Sequence, residues 1–422
     1  MRKSCSRWLS LGLMVLLALA LSAHVLAEQR TLQIMVHGNA DYVERTTRFW
    51  GVFAAQNPGI EIEIVPGAGG STPEQKLLVA VAAGIPPDLV RLYNPRAAGA
   101  AGLLQDLTER FQALPASVRN DIWPDLIVDM TEDGRLYGLP LGTVVSSFYY
   151  NTRHFAERGV PFPDASWRWE REGTNELKKL SIDIDGDGIL DRWGLGGIQS
   201  GSAEFWPFIH AAGGGPLLSP DGKRFLGNNP GTVDALQFLQ DWETVHHLTN
   251  LNVSSWTHFG EQRVSSLLWG SFMVGYFQSY PDLEWDFADR PTFRGNRWAN
   301  IWGESPYGIA AGAKNADLAW KAIEFIASSE GQQLSMQLGW GIPPARRSVT
   351  VGPFLQHFRG KNLGAVADTL SSSQMFRLRS IPDDVRKVLW DAAIGPVIRG
   401  EKAPKQALDE VTTRVNALLE EQ

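Results

Sequence analysis

Residues 31–36 (TLQIMV), 60–66 (IEIEIVP) and 88–90 (DLV) decide the fold of this chain. In the first two stretches apolar side chains recur at every second position, which is typical of strands with one buried face. A helical stretch follows the first strand and ends at residues 57–59 (NPG), and a second begins at Pro73 and ends at Gly84. Strand, helix, strand, helix and strand in this order predict an α/β protein with a doubly wound sheet.

Ligands of doubly wound sheets bind beyond the carboxyl ends of the strands. In this chain, residues 37–41 (HGNAD) follow the first predicted strand and residues 91–96 (RLYNPR) follow the third. Because the ends of parallel strands meet at one edge of a sheet, these two loops should lie close together. We therefore expect them to border a ligand site.

The first 27 residues have the plan of a secretory signal. Arg2, Lys3 and Arg7 precede the apolar residues 9–21, and residues 25–27 (VLA) close the segment. We expect cleavage after Ala27. Cys5 is the only cysteine of the chain and lies in the basic part, so no cysteine stands at the cut to carry a lipid anchor. The sequence therefore predicts a soluble periplasmic protein.

Length and composition restrict the partners. A chain of 422 residues exceeds what a single hydrophobic core normally organises, so we expect two domains. The formal net charge of −7 argues against nucleic acid and against anionic membrane surfaces. Sixteen tryptophans offer flat faces that suit sugar rings, although most large aromatic residues belong to cores. We expect a monomer.

Catalytic signatures are missing from the sequence. It contains no nucleophile elbow, no zinc-binding helix motif and no phosphate-binding loop. We therefore expect a protein without enzymatic activity and without a cofactor. Two other classes stay open. A secreted carbohydrate-active enzyme would need two carboxylates in one cleft. A binding protein for a phosphorylated polyol would need arginines there, and Arg91, Arg96 and Arg346 are available.

The densest group of charges is the acidic stretch 183–191 (DIDGDGILD). Asp183, Asp185, Asp187 and Asp191 match positions 1, 3, 5 and 9 of a twelve-residue calcium loop. Gly194 stands at the twelfth position, so the bidentate glutamate of that loop is missing. We state a structural calcium ion here as a hypothesis, and a solvated acidic turn as its alternative.

Several stretches together carry a resemblance to a known family. They are residues 57–62 (NPGIEI), 75–78 (QKLL), 82–90 (AAGIPPDLV), 134–140 (GRLYGLP), 149–151 (YYN), 259–272, 314–326 and 343–346 (PPAR). In order and spacing they resemble the extracellular solute-binding proteins, family 1, of ATP-binding-cassette importers, similar to maltose-binding and glycerol-phosphate-binding proteins.

The resemblance implies a two-lobed periplasmic-binding-protein fold of the type II kind, with the ligand in the cleft between the lobes. The chain would cross between the lobes three times, near residues 139–144, 285–291 and 327–331. The first lobe would comprise residues 28–140 and 291–327, and the second residues 141–290 and 328–422. The implied function is the capture of a carbohydrate and its delivery to a membrane permease driven by a separate ATPase.

The resemblance also suggests which residues hold the ligand. Gly303 and Glu304 are expected in a loop just before Tyr307, where the chain re-enters the first lobe. Phe272 stands where many relatives have tryptophan, and Trp269 and Tyr276 would add aromatic surface there. The complete set of expected ligand-binding residues is Asn39, Asp41, Gln75, Tyr93, Asn94, Thr143, Trp206, Trp269, Phe272, Trp302, Gly303 and Glu304.

Overall fold

The computed structural model describes residues 30–67, 72–253 and 255–421. The predicted secretory signal, residues 1–27, lies outside these ranges. Within them, no helix is long and apolar enough to cross a bilayer.

Within the described ranges, ten strands form one large sheet and one small hairpin. The strands are β1 (Arg30–Val36), β2 (Ile60–Pro66), β3 (Leu89–Arg91), β4 (Thr131–Glu132), β5 (Arg135–Leu136), β6 (Leu139–Asn151), β7 (Ser266–Gly270), β8 (Trp285–Ala288), β9 (Trp298–Ile309) and β10 (Gln374–Arg377). The large sheet has the order β2-β1-β3-β9-β6-β7, with β10 beside β9 and β8 beside β6, and β4 pairs with β5.

The first three strands are parallel, as the alternating sequence predicts. Ile34 of β1 lies opposite Ile64 of β2 and also opposite Leu89 of β3. On one face of β1, Ile34 belongs to the same hydrophobic cluster as Phe49 and Trp50 of the helix Ala40–Gln56, and all three are fully buried. Met35 belongs to a separate hydrophobic cluster, because successive side chains of a strand point to opposite faces. The prediction of a doubly wound start is therefore confirmed.

Two long strands join the two parts of the molecule. The first half of β6 pairs with β9, from Leu139 opposite Tyr307 to Val145 opposite Ile301. Its second half pairs with β7 and β8. The C-terminal end of β9 pairs with β3, and its N-terminal end pairs with β10. We call the part around β1–β3 the first lobe and the part around β7, β8 and β10 the second lobe.

The helices cover both lobes. The α-helices of more than four residues are Ala40–Gln56, Pro73–Ala82, Pro95–Ala100, Thr108–Ala113, Pro124–Asp129, Thr152–Glu157, Thr174–Lys178, Phe205–Ala211, Pro230–Thr244, Trp256–Gly260, Ala316–Ala327, Ser329–Gln337, Gly364–Ser372, Asp383–Leu389 and Pro404–Glu420. The shorter α-helices are Ala116–Arg119, Val274–Phe277, Arg347–Val349, Leu355–His357 and Gly395–Ile398. Trp169–Gly173, Thr350–Phe354 and Trp390–Ile394 form π-helical turns, and Leu251–Val253, Ser271–Met273 and Leu378–Ser380 form 3₁₀ turns.

The second lobe has a large hydrophobic core of its own, built around Trp169, Trp206, Trp242 and Phe208. In chain order, the protein leaves the first lobe along β6 and returns to it along β9. The residue limits 140, 290 and 327 for the two lobes stay a prediction.

Candidate functional site

A cavity of about 470 Å³ lies beside the two long strands, between residues of both lobes. It is bounded by the start of the helix Ala40–Gln56, by β9 and by residues 272–279. Its lining residues are Asn39, Asp41, Tyr42, Arg45, Arg91, Phe272, Gly275, Tyr276, Ser279, Glu304, Gly339, Trp340 and Ile342. The structure thus brings together four of the residues expected from the sequence: Asn39, Asp41, Phe272 and Glu304.

The N-terminus of the helix Ala40–Gln56 forms one wall. Asn39 is its cap, because Oδ1 accepts a hydrogen bond of 2.9 Å from the backbone N–H of Tyr42. Asp41, on the first turn, pairs instead with Arg45 at 2.5 Å. Arg45 also donates to the carbonyl of Gly339 at 3.0 Å, which ties this helix to the loop that carries Trp340. The wall therefore presents one ion pair to the cavity.

Arg91 lies at the end of β3 and is almost completely buried. Its Nη2 donates to Glu304 at 3.1 Å, its Nη1 to the carbonyl of His37 at 2.9 Å and its Nε to Ser305 at 3.3 Å. The guanidinium also lies 4.5 Å from the ring centroid of Tyr42. Each of the three guanidinium nitrogens thus has a hydrogen-bond partner, which fixes the position of the side chain.

Aromatic rings form a second group around the cavity. Tyr42 stacks on Trp340 with a centroid distance of 5.6 Å and an angle of 14° between the rings. The hydroxyl of Tyr42 lies 3.1 Å from Oγ of Ser305. On the side of the second lobe, Tyr276 packs edge-on against Trp256 at 4.3 Å. The cavity thus combines flat apolar faces with charged hydrogen-bonding groups.

Trp302 and Glu304 lie two residues apart on β9 and so point to the same face of the sheet. Trp302 is partly exposed and lies opposite Val144 of β6. A Cβ added to Gly270 would meet both Val144 and Phe272 within 2.7 Å, which places Phe272 near this same face. Trp302 therefore stands next to the cavity without being part of its lining.

The expectation that Gly303 and Glu304 lie in a loop is wrong, because both belong to β9. Glycine and proline near these two residues are typical of a turn. The extended pairing of β9 with β6 nevertheless gives them strand conformation. Gly303 lies opposite Thr143, and both face away from Glu304. A Cβ on Gly303 would meet Met130 at 2.2 Å. Thr143 is fully buried, so neither residue reaches the cavity.

Two of the expected aromatic platforms are core residues in this structure. Trp206 is 2% exposed and packs against Phe205 and Phe376. Trp269 is 6% exposed and belongs to the hydrophobic core that spans β6 and β7. Tryptophan usually buries its large apolar face against other side chains in a core, and both of these side chains do so.

Gln75 and Asn94 cap helices rather than line the cavity. Gln75 and Thr72 form a capping box at the start of the helix Pro73–Ala82. Asn94 caps the helix Pro95–Ala100. Tyr93 is 43% exposed, and its ring lies 5.4 Å from the Arg91 guanidinium, at the margin of the cavity. Burial raises the pKa of Tyr93, which keeps its phenol neutral and able to donate.

The acidic stretch forms an exposed loop. Oxygens of Asp183, Asp185 and Asp187 lie within 4.8 Å of one another. Asp191 is outside this group and accepts a hydrogen bond from the backbone N–H of Ile184 at 2.7 Å. Backbone N–H groups of Gly188 and Gly186 lower the pKa of Asp183. Oxygen donors suit calcium, but only three of the four expected carboxylates converge, and the ion stays a prediction.

Tyr42, Arg45 and Trp340 were missed by the sequence reasoning. Tyr42 and Arg45 are three residues apart at the start of a helix that follows a predicted ligand loop, so helical spacing could have found them. Trp340 lies between Gly339 and Gly341, whose φ angles are +80° and +62°. No regular pattern of the sequence marks such a loop.

The comparisons with known proteins agree with this architecture. A profile for the bacterial extracellular solute-binding protein family matches residues 39–333. The chain is 25% identical over 300 residues to the lactose-binding protein of Rhizobium radiobacter, which covers 65% of this chain and 64% of that protein.

Two solved structures show the same fold. One is the ABC substrate-binding protein Lmo0181 from Listeria monocytogenes in complex with cycloalternan, with a TM-score of 0.76 and 19% identity over 92% of this chain and 99% of that one. The other is an ABC transporter solute-binding protein from Thermotoga lettingae TMO bound with α-D-tagatose, with a TM-score of 0.73 and 21% identity over 92% of this chain and 100% of that one. The chain belongs to the bacterial extracellular solute-binding proteins. Its fold is the two-lobed fold of that family.

Proposed function

We propose that this protein captures a carbohydrate in the cavity beside β6 and β9 and delivers it to the permease of an ABC importer. The observation that carries the proposal is the composition of the cavity lining. Asp41, Arg45, Arg91 and Glu304 offer charged hydrogen-bonding groups, and aromatic side chains stand among them.

This combination suits a sugar for physical reasons. A carboxylate accepts hydrogen bonds from two neighbouring hydroxyls more strongly than a neutral acceptor does. An aromatic face covers the apolar C–H side of a sugar ring. Phe272, Tyr276 and Trp302 supply such faces on or beside the cavity. The comparisons support the same class of ligand. One relative is a lactose-binding protein, and the two solved structures contain cycloalternan and α-D-tagatose.

Capture would follow from closure of the two lobes. Asn39 and Arg91 belong to the first lobe, whereas Phe272 and Tyr276 belong to the second. A ligand that touches both groups binds the closed form better than the open form, so it shifts the population toward closure. The permease would recognise the closed form outside the cytoplasm, in the periplasm, after cleavage of residues 1–27. The ligand would be released unchanged.

A phosphorylated polyol is a weaker candidate because the three arginines considered for phosphate already have partners. Arg91 pairs with Glu304, Arg96 with Glu132 and Arg346 with Asp121. An enzyme is disfavoured for a similar reason. The two carboxylates of the cavity, Asp41 and Glu304, are both held by arginines.

Thermal unfolding of the purified protein tests the proposal. The panel contains lactose, maltose, D-tagatose and glycerol 3-phosphate, because a ligand specific to the folded state must raise the unfolding midpoint. We expect a rise with at least one sugar and none with glycerol 3-phosphate. Chromatography of the mixture should recover the sugar unchanged after hours. No rise with any sugar, or the appearance of a hydrolysis product, would contradict the proposal.

A further inference from the structure

Among the residues that the structure describes, the partners of Glu304 hold it through one oxygen. Its Oε1 accepts from Nη2 of Arg91 at 3.1 Å and from Oγ of Ser305 at 3.2 Å. No hydrogen bond joins its Oε2 to another of the described residues, and the side chain, 21% exposed, lines the cavity. Arg91 and Ser305 therefore fix Oε1, while Oε2 remains available to a ligand.

Arg91 is too enclosed to act on a large ligand directly. It is 6% exposed, and besides Glu304 it holds the carbonyl of His37 and the hydroxyl of Ser305. The rings of Tyr42 and Tyr93 cover it at 4.5 and 5.4 Å. A side chain fixed in this way acts on the ligand through the group that it orients, which is Glu304.

The charges of the cavity cancel in pairs. Asp41 faces Arg45 at 2.5 Å, and Glu304 faces Arg91 at 3.1 Å. These four are the ionisable lining side chains apart from tyrosine, so the lining has no net charge. A neutral polyol meets hydrogen-bonding groups that need no counter-ion. Among these lining residues an anion would find no unpaired cation, and an ion removed from water without a partner is strongly disfavoured.

We infer that Arg91 is a positioning residue that orients Glu304 so that its Oε2 accepts hydroxyl groups, and that the Arg91–Glu304 pair makes the cavity select neutral polyhydroxylated ligands over anionic ones. This inference rests on the proposed function for the identity of the ligand as a carbohydrate. The charge selection itself can be measured without any sugar.

Glu304→Gln tests the charge selection with inorganic phosphate as the probe. The substitution keeps the shape of the side chain and leaves the buried guanidinium of Arg91 without its carboxylate. We expect phosphate at 10 mM to raise the unfolding midpoint of Glu304→Gln and not that of the unsubstituted protein. Asp317→Asn is the matched control, since it frees the partly buried Arg110 from its carboxylate outside the cavity. A response of the unsubstituted protein, an equal response of Asp317→Asn, or none from Glu304→Gln overturns the inference.

Glu304→Asp tests the positioning role, because it keeps the charge balance and withdraws the carboxylate by one methylene. We expect it to fold, to remain insensitive to phosphate and to bind lactose at least about 10-fold more weakly, as loss of a charged hydrogen bond implies. Lactose binding equal to that of the unsubstituted protein would overturn the positioning role. This variant also keeps the inference testable if Glu304→Gln does not fold.

The two proposals fail in different ways. If lactose and the other sugars never bind, while Glu304→Gln gains a phosphate response, the carbohydrate function fails and the charge selection stands. If lactose binds tightly, while Glu304→Gln gains no phosphate response, the charge selection fails and the carbohydrate function stands. Lactobionate, the anionic analogue of lactose, should bind the unsubstituted protein at least about 10-fold more weakly than lactose does.

Discussion

Arg379 of the second lobe donates to Asp129 of the first lobe at 2.6 Å, and the two side chains together hold Gly303 of β9. The backbone N–H of Gly303 donates to Asp129 at 3.0 Å, and its carbonyl accepts from Arg379 at 3.0 Å. β10 pairs with residues 298–301 of β9 and β3 pairs with residues 307–309. In the stretch between these pairings, side chains of both lobes satisfy the backbone groups of Gly303.

Removal of Arg379 should destabilise the protein strongly. Arg379→Met leaves the buried carboxylate of Asp129 without its cation, and breaking such a pair typically lowers the free energy of unfolding by about 3–5 kcal/mol. Urea unfolding measures the loss. Arg377→Met is the control, because the Arg377–Asp125 pair is half-exposed and should contribute less than about 1 kcal/mol. Equal losses in the two variants would contradict this account of the buried pair.

The pair of Glu204 and Arg290 should behave in the same way within the second lobe. The two side chains are fully buried and lie 2.7 Å apart, and burial raises the pKa of Glu204. Arg290→Met alone should lower the free energy of unfolding by about 3–5 kcal/mol, because it leaves a buried charge. The double variant Glu204→Leu/Arg290→Met should recover most of that loss, since no charge then remains. A double-mutant cycle by urea unfolding measures this, and simple additivity would refute it.

Aromatic truncation should weaken sugar binding. Phe272→Ala and Trp302→Ala each remove a flat face on or beside the cavity, and loss of one such face corresponds to about 10-fold in affinity. Isothermal titration with lactose measures the effect. Phe162→Ala is the control, because Phe162 is half-exposed and packs against Tyr150 and Phe155, which do not line the cavity. Unchanged affinity in both variants would remove these residues from the site.

The stability of the second lobe should fall as pH rises toward neutrality. Burial raises the pKa of Glu243 from 4.5 to about 7. Below pH 4.5 Glu243 is protonated in both the folded and the unfolded chain, and its contribution to the free energy of unfolding is fully present. It is lost as the pH rises through about 7, because the folded state must then bury a charge; the loss is about 2 kcal/mol for a partly buried group.

Glu243→Gln should remove this dependence. Urea unfolding between pH 4.5 and pH 8 should show the variant equal to the unsubstituted protein at the acid end and more stable than it at pH 8. Glu44→Gln, at an exposed position of the helix Ala40–Gln56, should leave the pH profile unchanged. A profile of Glu243→Gln that is parallel to that of the unsubstituted protein would contradict the assignment to Glu243.

The sequence predicts the first lobe well because its signals are local. The alternation at Leu32, Ile34 and Val36 marks β1, and Asn39 caps the next helix as its residue type suggests. The helices Ala316–Ala327 and Pro404–Glu420 likewise bury an apolar stripe of their own sequence. In each case the buried face is visible within one short window of sequence.

The site is harder to predict because its residues come from distant parts of the chain. The sequence around Trp206 does not distinguish a ligand-binding residue from a core residue. The contact of Trp206 with Phe376, 170 positions away, identifies it as a core residue. Gly303 and Glu304 read as loop residues, since their strand exists only through pairing with Gly142 and Thr143. Such strand pairing between distant residues is not visible in the local sequence pattern.

The sharing of β6 and β9 between the two lobes limits how this protein can be divided. A fragment that ends before residue 139 lacks β6, and one that ends before residue 298 lacks β9, the neighbour of β3 in the first lobe. Neither lobe can therefore be excised as a contiguous piece of chain with its sheet complete. A reporter domain is better inserted at an exposed turn such as residues 186–188 than at the point where one lobe passes into the other.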